Sequence, residues 1–233
     1  MIQPADLLAA RRRAAQAALE LLPDVGIIGL GSGATASLFI EGVAQALASG
    51  QKKLTGVATS EHSRQFATSL GIPLHQDDGP WDIAICVDGA DEVTDGLDLI
   101  KGGGGCHMRE KIVNAASRFN VIVVDEAKLS RRLGQRWVVP VEVTKFGHAA
   151  TAVHLAKWGK VSQRWKQGEP WITDSGNFIY DVNAGIIEDP GFLEQTLTLI
   201  PGVVETGLFV GRTDLLLIGT ADGVRRIAVR ESD

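Results

Sequence analysis

Four short stretches of this sequence combine reactive residue types with spacings that could bring them to one place. The first is Gly29-Leu30-Gly31-Ser32-Gly33-Ala34-Thr35-Ala36, set between an apolar run and a helix-like segment. Glycines there let backbone N–H groups approach an anion, and a helix start adds partial positive charge. Ser32 and Thr35 add hydroxyls. The chemistry would be phosphate binding, although tight strand–helix packing asks for the same glycines. The string also satisfies G-x-G-x-x-A. A dinucleotide site, however, wants an acid near the end of the second strand. That strand ends in Thr59-Ser60, and Glu61 already sits at a helix start.

The second stretch, Val87-Asp88-Gly89-Ala90-Asp91-Glu92, puts three carboxylates directly after an apolar strand. Charge at the end of a buried strand is costly unless it faces a cleft. Carboxylates there could hold sugar hydroxyls or pass protons. One acid alone would read as a capping turn; the cluster points to function. In the third, Lys101 precedes the four glycines Gly102 to Gly105. Such a run forfeits backbone entropy on folding. It would let amides surround a small polar ligand, with Lys101 as a fixed cation. The alternative is a loop of no consequence. The fourth is Arg109-Glu110-Lys111 at the opening of a helix. Glu110 alone would only complement the helix dipole. Beside a glycine loop and a lysine it becomes a candidate general base.

Other residues carry less. Cys106-His107 could suggest a nucleophile pair, but adjacent side chains seldom face each other and no third orienting group is evident. Cys86 lies in an apolar strand and reads as core. The five histidines lack metal-ligand spacing. Trp158, Trp165 and Trp171 read as packing or subunit contact. Arg11 to Arg13 read as a solvated helix face from which one arginine could reach a phosphate.

The elements that must position these groups follow from the apolar pattern. Helices are expected over 5–22, 36–49, 61–70, 109–118, 149–158 and 190–199. Strands are expected over 25–30, 54–58, 81–87, 121–124, 138–143, 208–210, 215–219 and 224–229. Gly50 and Gly71 close two helices. Asp174-Ser175-Gly176-Asn177 marks a hairpin turn within 171–180. In the first half, strands alternate with helices and are continuously apolar, which argues for a parallel sheet covered on both faces. Sites in such folds lie beyond the carboxyl ends of the strands, where the glycine and acid clusters fall. After about residue 131 a small α+β unit is expected, with the last strands returning to the first domain.

Bulk properties agree. The 233 residues are 45% hydrophobic, with a net charge of −5, enough for a sizeable core and unlike a basic nucleic-acid binder. Two cysteines and no disulfide framework suit a reducing cytoplasm. No apolar run reaches membrane-spanning length, and the N-terminal stretch reads as a helix face, not a signal peptide.

Together these segments resemble ribose-5-phosphate isomerase of type A. The likeness runs through the glycine loop at 29–36, Val87 to Glu92, Lys101 to Gly105, Arg109-Glu110-Lys111, Asp125 to Lys128, Val139 to Val143, Ile200 to Phe209 and Leu217 to Gly223. It implies an α/β fold: a Rossmann-like domain (1–131 plus 204–233) and a smaller α+β domain (132–203). It implies interconversion of ribose 5-phosphate and ribulose 5-phosphate through a cis-enediolate, with Glu110 as base. Asp88, Asp91 and Lys101 fall on catalytic positions. Ser32, Gly33, Ala34, Thr35, Asp88, Gly89, Ala90, Asp91, Lys101, Gly102, Gly103, Gly104 and Lys128 fall on substrate-binding ones. No metal or cofactor is implied, nor any nucleic-acid or membrane partner. A cytoplasmic homo-oligomer, dimer or tetramer, is implied. Two positions depart from the family pattern: Ala34 lacks a hydroxyl common there, and Ser175 changes a turn. An amino-sugar-phosphate deaminase would have to release ammonia from an amino sugar, and none of its motifs stand out. An effector domain that senses a sugar phosphate would keep the phosphate loop without needing Glu110 or Lys101.

Overall fold

The structure, a computed structural model, describes residues 4–75 and 79–229. In chain order it begins α1 (Pro4–Leu19), β1 (Val25–Leu30), α2 (Ala34–Ala48), β2 (Lys53–Ala58), α3 (Glu61–Ser69) and β3 (Ile83–Asp88). Next come β4 (Glu92–Val93), β5 (Leu99–Ile100), α4 (His107–Ala115), β6 (Asn120–Asp125) and a 3-10 turn, Glu126–Lys128. Then follow β7 (Val139–Val143), α5 (His148–Leu155), β8 (Lys160–Gln163), β9 (Trp165–Lys166), β10 (Glu169–Pro170) and β11 (Phe178–Asn183). The chain closes with α6 (Pro190–Thr198), β12 (Val203–Thr206), β13 (Leu208–Phe209), β14 (Leu215–Gly219) and β15 (Val224–Ala228).

Its contacts divide into two units. The first comprises Met1–Gly89, Arg109–Lys128 and Arg212–Asp233. Among the described residues its strands form one six-stranded sheet, ordered β15-β14-β6-β3-β1-β2. All neighbours pair in parallel except β15, which runs antiparallel on β14. The expected α/β class with a largely parallel sheet is therefore present. The inner strands β1, β3, β6 and β14 are largely apolar because both faces are covered, whereas edge strand β15 carries exposed Arg225 and Arg226. Ala14, Ala18, Phe39, Ile40 and Val43 of α1 and α2 pack with Ile28, Leu30, Val121 and Leu217 in one core. Val113 of α4 meets Val57, Ile83 and Cys86 in another cluster. Small residues let α1 approach closely: a side-chain carbon on Gly219 would meet the Ala10 carbonyl.

The second unit comprises Ala90–Met108 and Leu129–Gly211. Its four-stranded antiparallel sheet, β12-β7-β11-β8, encloses Val139, Val141, Val143, Leu155, Tyr180, Val182 and Leu197. A small three-stranded sheet, β13-β5-β4, gathers segment 90–108 into this unit.

Three differences from the sequence reading have physical causes. Segment 208–210, expected in the first domain, pairs antiparallel with β5 and lies in the second unit. Segment 90–108 likewise lies in the second unit, whereas the expected boundaries ran at 131 and 204. Strands of two residues carry no measurable period, so β4 and β5 left no trace in the apolar pattern. The expected turn at 174–177 forms, closed by Thr173 N–H to Asn177 O at 2.9 Å, but its hairpin extends only to one bridge, Ile172 to Phe178. The long strand β11 pairs with β7 and β8 instead.

Candidate active site

Parallel strands place their carboxyl ends on one edge of the first unit's sheet. Three segments that carry candidate residues leave from that edge. The turn after β1 holds Ser32 to Thr35, β3 ends at Asp88-Gly89, and the turn after β6 holds Lys128. Helix α4 precedes β6 and runs back against the strands, so its first turn, with Glu110, lies at the same edge. Asp88 and Glu110 are only 4% and 6% exposed, unusual for carboxylates without a task.

The glycine turn divides its labour residue by residue. A side-chain carbon on Gly29 would lie 2.7 Å from Cys86 Sγ and 2.9 Å from Val113 Cγ1, so this glycine serves packing. On Gly31 it would lie 2.5 Å from the Asp88 Cα. That approach lets Ser32 N–H donate to Asp88 Oδ1 at 2.8 Å, the same oxygen that accepts from Gly89 N–H at 2.7 Å. Gly33, at φ 96°, caps α2 with no side-chain hydrogen bond and open space around it. The first turn of α2, with Ala34 exposed and Thr35 buried, presents helix-start amides of the kind that hold anions. The Ser32 hydroxyl is engaged inside the protein. It lies 2.8 Å from Thr59 Oγ1, 2.7 Å from Ser60 Oγ and 3.1 Å from Ser63 Oγ. Ser63 Oγ in turn donates to the Gly31 carbonyl at 2.7 Å.

Arg11 donates to Asp125 Oδ2 at 2.9 Å, and Arg13 to the Thr220 carbonyl at 2.9 Å. Both tie α1 to the carboxyl ends of the neighbouring strands β6 and β14.

In the second unit, Asp91, Lys101 and the glycine run assemble together. Asp91 Oδ2 accepts from Gly103 N–H at 2.6 Å, and Ile100 O accepts from Asp91 N–H at 2.9 Å. Lys101 is 4% exposed. Its backbone N–H donates to Gly207 O at 2.8 Å, and its Nζ sits 5.5 Å from the Phe209 ring centroid. Gly102 adopts φ 97°, and a carbon added there would lie 2.6 Å from His107 Nδ1. Gly104 is exposed. Ala90, half-buried, opens this unit directly after Gly89.

Glu92 proves to be an anchor. Fully buried, it accepts from the N–H groups of Gly134 at 2.9 Å, Arg136 at 3.0 Å and Trp137 at 3.3 Å. It thereby fixes the loop that lays Trp137 against Gly103, where an added carbon would meet Cζ2 at 2.9 Å. Glu142, 1% exposed, similarly receives Thr173 Oγ1 and Asn177 Nδ2, each at 2.8 Å. Sequence reasoning missed Arg164, which reaches the glycine loop, and Asp181, which pairs with it. Arg164 follows a short polar strand and Asp181 lies inside β11, so neither stands out from an ordinary surface ion pair.

Among the described residues, His, Cys, Asp and Glu do not gather in threes that could hold a metal ion. No described helix is long and apolar enough to cross a membrane.

A parallel sheet covered on both faces, with buried acids and uncapped helix-start amides at its carboxyl edge, is the framework of an α/β enzyme for a small anionic substrate. The family model for ribose 5-phosphate isomerase A (phosphoriboisomerase A) matches residues 55–223. The ribose-5-phosphate isomerase A of Parvibaculum lavamentivorans is 43% identical over 221 residues, spanning 91% of this chain and 95% of the relative. The solved ribose 5-phosphate isomerase A of Methanocaldococcus jannaschii superposes with a TM-score of 0.90 at 38% identity, covering 94% of this chain and 98% of that one. A D-ribose-5-phosphate isomerase solved in complex with phospho-erythronic acid also gives 0.90, at 36% identity, covering 94% and 97%. This chain belongs to the ribose 5-phosphate isomerase A family and is an isomerase.

Proposed function

We propose that this isomerase interconverts ribose 5-phosphate and ribulose 5-phosphate, with Glu110 as the base. The observation that carries the reading is the placement of a buried carboxylate, Glu110, at the sheet edge where Asp88 and the helix-start amides of α2 also lie. In the proposed reaction Glu110 takes the proton from C2 of the open-chain aldose and returns it to C1 through a cis-enediolate. A positioned base contributes on the order of 10²–10⁴ in rate. Lys101 and the amides of Gly102 and Gly104 balance the charge that develops on oxygen, while Gly103 N–H is engaged by Asp91. Asp88 handles the hydroxyl proton during ring opening and transfer between O1 and O2. Asp91, bonded to Gly103 N–H, sets the shape of the glycine loop. The phosphate is a remote handle whose binding energy holds the reacting carbons in place. The amides of Gly33, Ala34 and Thr35 and the cation of Lys128 would grip it. With backbone amides as the donors, Ala34 needs no hydroxyl. Gly89 and Ala90 keep the chain slim beside Asp88. Such an enzyme serves the non-oxidative branch of the pentose phosphate pathway.

The direct test follows ribulose 5-phosphate formation from ribose 5-phosphate in the presence of a chelator, where turnover is expected to persist. Glu110→Gln should lower kcat by about 10³-fold, within the range expected for a lost general base, and abolish entry of solvent deuterium at C1 and C2. Normal deuterium exchange in a folded Glu110→Gln protein would remove Glu110 from the role.

A further inference from the structure

The glycine loop is gripped from several sides within the second unit, and one of those grips has no part in the roles assigned above. Arg164 Nη1 donates to the carbonyls of both Gly102, at 2.7 Å, and Gly103, at 3.1 Å. The guanidinium is itself fixed. Its Nε donates to Asp181 Oδ2 at 2.9 Å, its Nη2 pairs with Asp181 Oδ1, and its Cζ lies 5.4 Å from the Trp171 ring centroid. The side chains of Arg164 and Asp181 are 12% and 19% exposed. The backbone of Arg164 is held as well, donating to Ile179 O at 2.8 Å and accepting from Trp171 N–H at 2.9 Å. A residue bound at both main chain and side chain is poorly placed to move with solvent.

This clamp has a stereochemical consequence. Across a trans peptide, the C=O of one residue and the N–H of the next point to opposite sides. With Gly103 C=O directed to Arg164, Gly104 N–H must face away from it. With Gly102 C=O directed to Arg164, Gly103 N–H faces away too, and there it meets Asp91 Oδ2 at 2.6 Å. Gly105 N–H closes the turn onto Gly102 O at 2.9 Å. A cationic donor on a carbonyl also polarises its peptide and strengthens the N–H on the far side.

We propose that Arg164, locked by Asp181, is a positioning residue that orients and polarises the Gly103–Gly104 peptide, so that Gly104 N–H is an oxyanion donor in the isomerisation. The inference rests on the proposed function, because it needs the glycine loop to meet the enediolate oxygen. Asp181 neutralises the guanidinium, so the loop receives hydrogen bonds without an uncompensated buried charge. Lysine cannot substitute: its point charge cannot serve a carboxylate in bidentate fashion and two carbonyls together.

The experiment compares wild type, Arg164→Lys and Asp181→Asn in steady-state turnover of ribose 5-phosphate, with circular dichroism and thermal midpoints to confirm folding. A donor made only in the transition state acts on kcat, not on KM. Arg164→Lys should therefore lower kcat by about 10- to 100-fold with KM within about threefold, somewhat less than outright loss of an oxyanion donor. Asp181→Asn should lower kcat in the same direction by a smaller factor. Arg164→Ala should regain part of its lost kcat when guanidinium ion is added at millimolar levels, which a general packing defect would not do. Folded variants with wild-type kcat, or a defect confined to KM, would overturn the inference while leaving the isomerase reading intact. A wild-type protein that does not turn over ribose 5-phosphate would instead overturn the proposed function and this inference with it.

Discussion

Asp88 is held in place by what Gly31 lacks. A β-carbon at Gly31 would come within 2.5 Å of the Asp88 Cα, a backbone atom that cannot swing aside. Gly31 N–H also donates to Val87 O at 3.0 Å, so the turn cannot retreat without losing a ladder bond. Gly31→Ala should therefore push the turn off β3, break the Ser32 N–H bond to Asp88, and destabilise the protein by about 1–3 kcal/mol as other overpacked sites do. Activity should fall more than stability explains, by about 100-fold, because small displacements at a reacting centre carry that penalty. Thermal unfolding and steady-state kinetics on one preparation test this; a stable variant with normal kcat/KM would refute it. At this scale the acids, Lys101 and the glycines were legible, because charge and glycine are out of place at the ends of apolar strands. Arg164 and Asp181 were not. An ion pair between positions 17 apart in sequence resembles any surface pair until the strands that carry it are registered, Asp181 opposite Ser162 and Tyr180 opposite Gln163. Glu92 was legible as a carboxylate but not as an anchor, since its three backbone partners lie more than 40 positions downstream.

Helix α3 shows how an element braces the phosphate-loop candidate without contributing to it directly. Its N-cap, Ser60, accepts from Ser63 N–H at 3.0 Å, and both hydroxyls join the cluster around Ser32 Oγ. The start of α3 and the turn after β1 therefore share one hydrogen-bond network. Glu61 opens this helix. Hydrogen bonds first from Arg64 and then from Gln65 hold its carboxyl below the usual range, to about 2, against an ordinary 4.5. A carboxylate with a lowered folded-state pKa stabilises the fold above its unfolded value and loses that contribution as pH falls toward the folded one. The thermal midpoint of wild type should thus exceed that of Glu61→Gln at neutral pH, with the gap closing between about pH 4.5 and pH 2. Since the Glu61 side chain is part-exposed and its partner Arg64 more so, added salt should narrow the gap at neutral pH. A gap independent of pH would show that the charge plays no part. The long elements were legible because burial on both faces writes unbroken apolar runs: β1 and β14 have the expected bounds, and Gly50 and Gly71 sit at positive φ just past their helices. Strands β8, β9, β10 and β12 were not, being short and half-exposed, with polar residues that carry no period.

At the scale of the whole molecule, the decisive property is that neither unit is one continuous stretch of chain. The first needs three segments, and the sheet order shows why. Its centre is the pair β3 and β6, and β6 is followed in space by β14, from the third segment. Helix α1 packs on β6 and β14, which lie more than 100 positions further along the chain. Residues 1–89 look complete in sequence, with three strands alternating with helices. They nevertheless lack Val121, Val123, Leu215 and Leu217, buried members of the same core as Ala14, Phe39 and Ile40. They would also leave the β3 edge from Cys86 to Asp88 without its partner strand. Buried aliphatic side chains contribute about 1.5–3 kcal/mol each, so four missing ones amount to most of the 5–15 kcal/mol by which a domain of this size is stable. A fragment of residues 1–89 is therefore expected to show no cooperative thermal transition and no slowly exchanging amides in β1. Adding residues 109–128 and 212–233 through short linkers should restore both, and with them the carboxyl edge that carries Ser32 to Thr35, Asp88, Glu110 and Lys128. A cooperative unfolding transition in the 1–89 fragment alone would contradict this account of how the sheet is held.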